Sequence, residues 1–301
     1  MADPTLFTKI LVPLDVADLG GSILPHLTQL TRGIDSRATL LTVLDPDAVW
    51  DERPDDRGID AAVTRTQRKL DAIVDELAEQ GLVAEAHVVT GRPADEIMNT
   101  IESGGFTLVA MATHGRGALG RSVLGSVTDK VIRGSSLPTL VVRPKDRDEH
   151  ENTTAILVPL DGSQLAETVL PFVEELAGRL TLPVNLLRVA SLPSASEPYS
   201  AALLAASHLD IDEQSERDAV AYLKGVAARM SAKGLTVHWR VYKGAPVHTI
   251  DHVAKETPNT LVALTTHRRS GIKRLVVGSV ADAVIHDSGH PVLVAPPKGE
   301  K

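Results

Sequence analysis

One segment of the chain combines glycines and a serine in a pattern suited to holding a phosphate group. Residues 112–128 read ATHGRGALGRSVLGSVT, so several glycines precede a helix predicted to begin at Gly125-Ser126. Glycine lets a backbone approach a ligand closely, and a helix N-terminus presents N–H groups and a favourable dipole to an anion. With Ser126 as the predicted N-cap, the segment indicates a phosphate-binding loop. An ordinary glycine-rich loop before a capped helix would read the same, because isolated glycine patterns are weak signals.

Other kinds of chemistry find little support. No G-x-x-x-x-G-K-[ST] loop is present, and no G-x-G-x-x-G follows the first strand. The chain has no cysteine, which excludes disulfides, zinc–cysteine sites and thiol catalysis. His248 and His252 have a helical metal-ligand spacing, but no third ligand is identifiable, so we expect no metal site. No catalytic residue can be assigned, and we expect a protein that is not an enzyme.

The composition of the chain excludes some classes of binding partner. The 301 residues carry a formal charge of −8 and only 3% aromatic residues. Such a chain repels phosphate backbones and lacks stacking platforms, so nucleic acid is not an expected partner. No apolar run approaches the roughly 20 residues that span a bilayer, and no secretory signal is visible at the N-terminus. We therefore expect a cytoplasmic protein without a membrane partner.

The chain is an internal duplication. KILVPLD at 9–15 returns as AILVPLD at 155–161, an offset of 146, and TLVAMATH at 107–114 returns as TLVALTTH at 260–267, an offset of 153. The change of offset places an insertion of seven residues between Val189 and Gly244, where the Ser/Pro-rich stretch 191–200 is typical of a longer loop. We expect domains at residues 1–147 and 154–301, joined by a polar linker at 148–153.

Each repeat alternates short apolar runs with helical patterns. In the first repeat the runs are predicted strands: Ile10–Leu14, Ala38–Leu44, Ala84–Val89, Leu108–Ala112 and Thr139–Val142. Helices are predicted between them, from Pro93 to about Glu102 and from Ser126 to a cap at Gly134. This order predicts an α/β fold: two repeated, open, five-stranded parallel sheets, Rossmann-like, with helices on both faces. Ligands bind such sheets beyond the carboxyl ends of the strands, where Asp15 and Asp161 end the first strand of each repeat.

The combination of motifs resembles a tandem universal stress protein. The nucleotide-binding members of that family carry a glycine, two residues, a glycine, nine residues and then Gly-Ser or Gly-Thr. Here Ala112, Gly115 and Gly125-Ser126 keep that spacing, and the strand ending ILVPLD and the Gly-x-Pro at Gly91 and Gly244 also match. The resemblance covers both halves. It implies strand order 3-2-1-4-5 and ATP or a related adenine nucleotide as ligand, with a Mg²⁺ that the nucleotide could carry.

The resemblance also implies roles for individual residues. Asp15 would accept hydrogen bonds from the adenine or ribose end, and Val43 would pack on adenine, although core packing explains Val43 nearly as well. The phosphates would lie on the loop and the start of the helix, where His114 would orient the loop and Arg116 could add charge. The first site then comprises Pro13, Asp15, Val43, Met111, Ala112, His114, Gly115, Arg116, Gly125, Ser126, Val127 and Thr128.

The second repeat departs from the motif. Thr265 and Arg268 replace the two leading glycines, and only Gly278-Ser279 remains. Arg268 could block a phosphate or grip one, so the second site is expected to be weaker or altered. Its candidate residues are Asp161, Val189, Gly278, Ser279 and Val280.

Three functions remain in competition. The first is a stress-response sensor or regulator that binds ATP mainly in the first domain and acts on protein partners the sequence does not name. The second is a slow ATPase or nucleotidyl-transfer enzyme, and the third is an interaction protein that binds no nucleotide. We also expect the fifth strands of the two repeats to pair as an intrachain pseudo-dimer, because an exposed apolar edge strand is a liability. A homodimer of whole chains stays open.

Overall fold

The computed structural model describes most of the chain, with gaps. The described residues are 7–15, 22–49, 58–113, 125–143, 152–190, 200–268, 275–276, 278–287 and 289–297. The predicted linker at 148–153 and much of the insertion at 191–200 therefore lie largely outside the described residues.

The first repeat alternates strands and helices as the sequence predicts. Its elements are β1 (Lys9–Pro13), α1 (Leu24–Leu30), β2 (Arg37–Leu44), α2 (Pro46–Val49), α3 (Gly58–Glu79), β3 (Val83–Thr90), α4 (Pro93–Gly104), β4 (Leu108–Ala112), α5 (Ser126–Gly134) and β5 (Thr139–Val142). Proline opens α4, where its missing N–H has no cost, and Gly105 with a φ of 64° ends the helix.

The second repeat has the same order with local differences. Its elements are β6 (Ala155–Pro159), a 3₁₀-helix (Ala166–Val169), α6 (Leu170–Leu180), β7 (Val184–Ala190), α7 (Ser200–Ser231), β8 (Val237–Lys243), α8 (Pro246–Glu256), β9 (Thr260–Thr265), β10 (His267–Arg268), β11 (Leu275–Val276), α9 (Ser279–Asp287) and β12 (Val292–Ala295). The 32 residues of α7 exceed the 22 of α3, so the second repeat carries the longer helix, and residues 191–199 of the predicted longer loop lie outside the described residues.

The ten main strands form one sheet. Its order is β3-β2-β1-β4-β5-β12-β9-β6-β7-β8, which confirms the predicted order 3-2-1-4-5 within each repeat. Pairing is parallel within each repeat and antiparallel between β5 and β12. The predicted pseudo-dimer is therefore confirmed: the two fifth strands cover one another. Separately, β10 and β11 form a small antiparallel ribbon after β9.

Helices cover both faces of the sheet. On one face a single core runs through both repeats, joining residues such as Val12, Leu70 and Leu77 to Val158 and Leu223. On the other face there are two cores, one under α4 and α5 and one under α8 and α9, and the second of these also includes Ile132 and Val141 of the first repeat. Ile10, Leu11 and Val12 of β1 are all buried, as expected for a strand covered on both faces.

Two predicted caps differ by one residue. The N-cap of α5 is Gly125, with φ −56° and ψ 143°, and Ser126 is the first helical residue, without a side-chain capping bond. The prediction of Ser126 as the cap is thus wrong by one residue, because Gly125 has the non-helical conformation of an N-cap and Ser126 is already helical. Gly134 is the last helical residue of α5, and the C-cap is Ser135.

The start of the second repeat is held to the first by one side chain. Gln29 of α1 donates from Nε2 to the carbonyl oxygen of Thr153 at 3.0 Å and accepts from its N–H at 2.8 Å. The amide thus imitates the pairing of a neighbouring strand.

Among the described residues, no helix is both long and apolar enough to cross a membrane.

Candidate functional site

A cavity of about 330 Å³ opens at the carboxyl ends of β1, β2 and β4. The first turns of α4 and α5 complete its walls. It is lined by Pro13, Leu14, Asp15, Ile23, Leu41, Val43, Pro93, Ile97, Met111, Ala112, Thr113, Gly125, Ser126, Val127 and Thr128. Parallel sheets of this type bind ligands at this edge.

The end of β1 is fixed by two hydrogen bonds with β2. The N–H of Leu14 donates to the carbonyl oxygen of Leu41 at 2.8 Å, and Oγ1 of Thr42 donates to the carbonyl oxygen of Leu14 at 3.1 Å. These bonds bring the half-buried carboxylate of Asp15 to the cavity wall. Asp15 is the single ionisable side chain among the described residues that line this cavity.

The inner wall of the cavity is apolar. Leu41 and Val43 of β2 and Met111 of β4 face it from the sheet, and Ile97 faces it from α4. Leu41, Ile97 and Met111 also belong to the core under α4 and α5, so this wall is held by core packing. A flat apolar group such as a purine ring fits a wall of this kind.

The opposite end of the cavity is the N-terminus of α5. The first intrahelical bond runs from the N–H of Asp129 to the carbonyl oxygen of Gly125, at 3.0 Å. The N–H groups of Ser126, Val127 and Thr128 therefore precede the regular helical bonding, and the helix dipole adds a positive potential at this end. The cavity thus has an apolar part, a carboxylate and an anion-favouring part.

The structure brings together most residues that the sequence predicts for the first site. Pro13, Asp15, Val43, Met111 and Ala112 line the cavity, as do the four residues 125–128. His114, Gly115 and Arg116 lie outside the described residues.

Sequence reasoning missed part of the wall. Pro93 and Ile97 of α4 line the cavity, together with Ile23, which precedes α1. The Gly-x-Pro at Gly91 was a usable signal: Gly91 has φ 150°, and a Cβ there would lie 2.9 Å from Cγ of Glu96. This turn directs α4 over the cavity.

The corresponding region of the second repeat is built differently. Oδ1 of Asp161 accepts from the N–H of Ser163 at 2.8 Å and from its hydroxyl at 2.6 Å, so that carboxylate stabilises its own loop. The hydroxyl of Thr265 lies 3.1 Å from that of Thr168, a contact that Ala112 of the first repeat cannot make. Val189 packs against the core under α8 and α9.

Arg188 of β7 contacts the loop that follows β6, on the face of the sheet that Tyr222 of α7 covers. A Cβ at Gly162, which has φ 85°, would overlap Nη1 of Arg188, and the Arg188 guanidinium lies 5.3 Å from the ring centre of Tyr222. Burial raises the pKa of Tyr222, and the carboxylate of Glu167 raises it further. The first repeat has Thr42 in place of Arg188.

The last three predicted residues of the second site lie at the start of α9. Gly278 precedes the helix, Ser279 is exposed and Val280 is half-buried. The N–H of Asp282 donates to the carbonyl oxygen of Gly278 at 2.8 Å, matching the start of α5. The second repeat thus keeps the helix N-terminus, whereas the carboxylate of Asp161 is bonded within its own loop.

A charged cluster lies between α5 and α9. Ligand atoms of Asp129, Asp282 and His286 lie within 4.8 Å of one another, a spacing that could hold a metal ion. Arg133 instead donates to both carboxylates, at 2.7 Å to Asp129 and 2.8 Å to Asp282. Burial opposes the charge of Arg133, but these two carboxylates outweigh it and raise its pKa above the ordinary value.

Comparisons with known proteins agree with the duplication. The sequence model of the Universal stress protein family matches residues 6–143 and again residues 152–296. Universal stress protein Rv2005c of Mycobacterium tuberculosis is 28% identical over 222 residues, which cover 72% of this chain and 70% of that protein.

A second relative and a solved structure extend the comparison. A universal stress protein of Mycolicibacterium smegmatis is 26% identical over 196 residues, and the match covers 64% of this chain but only 62% of the relative's length. The crystal structure of a universal stress protein from Archaeoglobus fulgidus shares the fold, with a TM-score of 0.72 at 20% identity, over 96% of this chain and 98% of that one. Because the family matches both halves of a chain folded as two joined copies of one α/β unit, this chain belongs to the Universal stress protein family as a tandem member.

Proposed function

We propose that this chain binds an adenine nucleotide, ATP, in the cavity of its first repeat and acts as a nucleotide-dependent sensor or regulator in the cytoplasm. One observation carries the proposal: a single cavity joins the carboxylate of Asp15, the apolar wall at Val43 and Met111, and the N-terminus of α5. These are the complements of a nucleoside edge, a base and a phosphate chain, respectively.

Each part of the nucleotide has a candidate partner. The Asp15 carboxylate would accept hydrogen bonds from the nucleoside, and the apolar wall would pack on the base. The N–H groups of residues 126–128 would hold phosphate oxygens, because the α5 N-terminus favours an anion. Together the described residues of the cavity wall fit an adenine nucleotide, and a Mg²⁺ would be carried by the phosphates of the nucleotide.

The proposal concerns binding rather than turnover. Phosphoryl transfer needs an oriented nucleophile and neutralisation of the phosphates, supplied together. Asp15 is the one ionisable group among the described residues of the cavity wall, and we assign it to the nucleoside. We therefore propose a protein whose bound nucleotide persists as a signal and is not consumed.

The experiment is to identify what the protein retains. Freshly purified protein is denatured, and the released small molecules are identified by mass and counted per chain. We expect an adenine nucleotide at about one per chain, and a lower content in Asp15→Ala. Asp161→Ala is the matched control, because Asp161 ends the equivalent strand but bonds to Ser163.

Two results would oppose the proposal. Loss of nucleotide in Asp161→Ala but not in Asp15→Ala would move the site to the second repeat. No retained nucleotide, together with no binding of added ATP, ADP or AMP by calorimetry, would favour the interaction protein that binds no nucleotide.

A further inference from the structure

The charged cluster between α5 and α9 is formed by equivalent positions of the two repeats but is not symmetric. Asp129 and Asp282 are equivalent by the offset of 153, and so are Arg133 and His286. Arg133 binds both carboxylates, through Nε to Asp129 and Nη2 to Asp282, whereas Nε2 of His286 lies 3.8 Å from Asp282. A single guanidinium therefore serves two acidic residues from two domains.

This cluster adjoins the phosphate end of the cavity. Asp129 follows Thr128, which lines the cavity, and its N–H makes the first helical bond to Gly125. The Cα of Asp129 lies only about 4.5 Å along the helix axis from that of Ser126. Asp129 thus places a negative charge close to the groups that would receive phosphate.

A carboxylate at this position disfavours a bound polyphosphate unless a cation offsets it. Coulomb repulsion between unit charges one to two helical turns apart, near a protein surface, is large enough to change an affinity about three- to tenfold. Arg133 contacts Asp129 at 2.7 Å and is only partly exposed, so this pair is screened less than a solvated one. The Arg133 guanidinium also contacts Asp282 of the second repeat. The neutralisation of Asp129 therefore depends on how the two repeats pack together.

We propose that Arg133 is a positioning residue for nucleotide binding: by neutralising Asp129 within α5 while Asp282 holds it from across the domain interface, it sets how strongly the first site prefers nucleotides with more phosphates. The inference rests on the proposed nucleotide site in the first repeat. It assigns to the second repeat a defined contribution to that site, the carboxylate of Asp282 that holds Arg133 in place.

The test compares variants that change the net charge of the cluster by one unit at a time. Counting Asp129, Asp282 and Arg133, the cluster carries −1 in the natural protein, −2 in Arg133→Gln, 0 in Asp129→Asn and −1 in the double variant. We expect the ATP dissociation constant to rise about three- to tenfold in Arg133→Gln, to fall by a similar factor in Asp129→Asn, and to return near the natural value in the double variant. The AMP constant should change less than threefold throughout, and all differences should shrink at about 1 M salt.

Arg143→Gln is the matched control. Arg143 also crosses the domain interface, but its Nη2 donates to the carbonyl oxygen of Ile285 at 3.3 Å. This variant should leave the ratio of ATP to AMP affinity unchanged. Should Arg133→Gln fail to fold, Asp129→Asn tests the same prediction in the opposite direction.

The outcomes separate this inference from the proposed function. If the natural protein binds no nucleotide, both fall. If it binds ATP and the variants change ATP and AMP affinity equally, or not at all, the nucleotide site stands and the role of Arg133 is overturned. Binding of Mn²⁺ or Zn²⁺ without nucleotide, lost in Asp282→Asn, would identify the cluster as a metal site and also overturn it.

Discussion

Leu140 of β5 pairs with Leu293 of β12, its own counterpart in the duplicated sequence. The neighbours on each side pair reciprocally, Val141 with Val292 and Thr139 with Val294. The pseudo-two-fold axis therefore passes between the two leucines. Through this ladder the first site lies in the same hydrogen-bonded sheet as the second repeat, which makes an effect of one repeat on the other testable.

A carboxylate in the apolar wall should weaken ATP binding when it is introduced in the first repeat but not when it is introduced in the second. Val43→Asp puts an unpaired carboxylate where the base would pack, and a buried unpaired charge costs at least about 2 kcal/mol, or roughly 30-fold in affinity. Val189→Asp makes the equivalent change in the second repeat and should leave ATP affinity within about twofold. Calorimetric titration with ATP measures both, and equal losses would contradict a single site.

The Gly162–Arg188 contact should make one glycine costly to replace. Gly162 and Gly234 have φ of 85° and 86°, but a Cβ at Gly234 meets nothing within 4 Å. Gly234→Ala should cost about 1 kcal/mol in the free energy of unfolding, from the backbone alone. Gly162→Ala should cost up to about 1 kcal/mol more, because the Arg188 guanidinium must shift from its position near the Tyr222 ring.

Urea unfolding of the two variants provides the measurement. In an Arg188→Met background the extra cost of Gly162→Ala should shrink. Identical costs for the two glycines would show that Arg188 moves aside freely.

Tyr222 should stay protonated in the folded protein at alkaline pH. Burial raises its pKa above that of an unfolded tyrosine, about 10. A raised pKa of this acid adds stability that is complete below pH 10 and is lost as the pH rises through the folded value. Absorbance at 295 nm should show one tyrosine ionising late, and Tyr222→Phe should remove that late step. A natural protein whose tyrosines all ionise near pH 10 would refute this.

Turnover of ATP should be negligible. With Mg²⁺ and excess ATP, phosphate release should remain far below the 1–100 s⁻¹ typical of kinases, because the described cavity wall holds no ionisable group besides Asp15. Release at an enzymatic rate that Asp15→Ala abolishes would instead favour the ATPase. Boiled protein and Asp161→Ala are the controls.

The duplication and the short apolar runs predict two five-stranded units, and the liability of an exposed apolar edge predicts the paired fifth strands. The strand order within each unit is instead implied by the resemblance to universal stress proteins. Each strand is a short apolar run, and Asp15 follows the first of them directly, so its place at the carboxyl edge follows from topology. Ile97 could not be placed in the same way, since its contact with the cavity depends on how α4 packs across the sheet.

The sequence does not predict contacts between side chains that lie far apart along the chain. Arg133 and Asp282 lie 149 residues apart, and their ion pair depends on the angle at which α5 and α9 meet. Arg188 likewise reaches Gly162 from a neighbouring strand, and no local pattern marks that approach. The cap of α5 was misplaced by one residue because Gly125 and Ser126 are both acceptable at that position.

The antiparallel join between β5 and β12 also frees the chain from a constraint that identical subunits share. In an assembly of two copies, any replacement on the axis appears twice, so an arginine introduced on one side would face another arginine on the other. Here Arg133 has a histidine, His286, as its counterpart. Because the two repeats are covalently joined, their association does not depend on protein concentration. Mutations can also change the binding cleft of one repeat without changing that of the other.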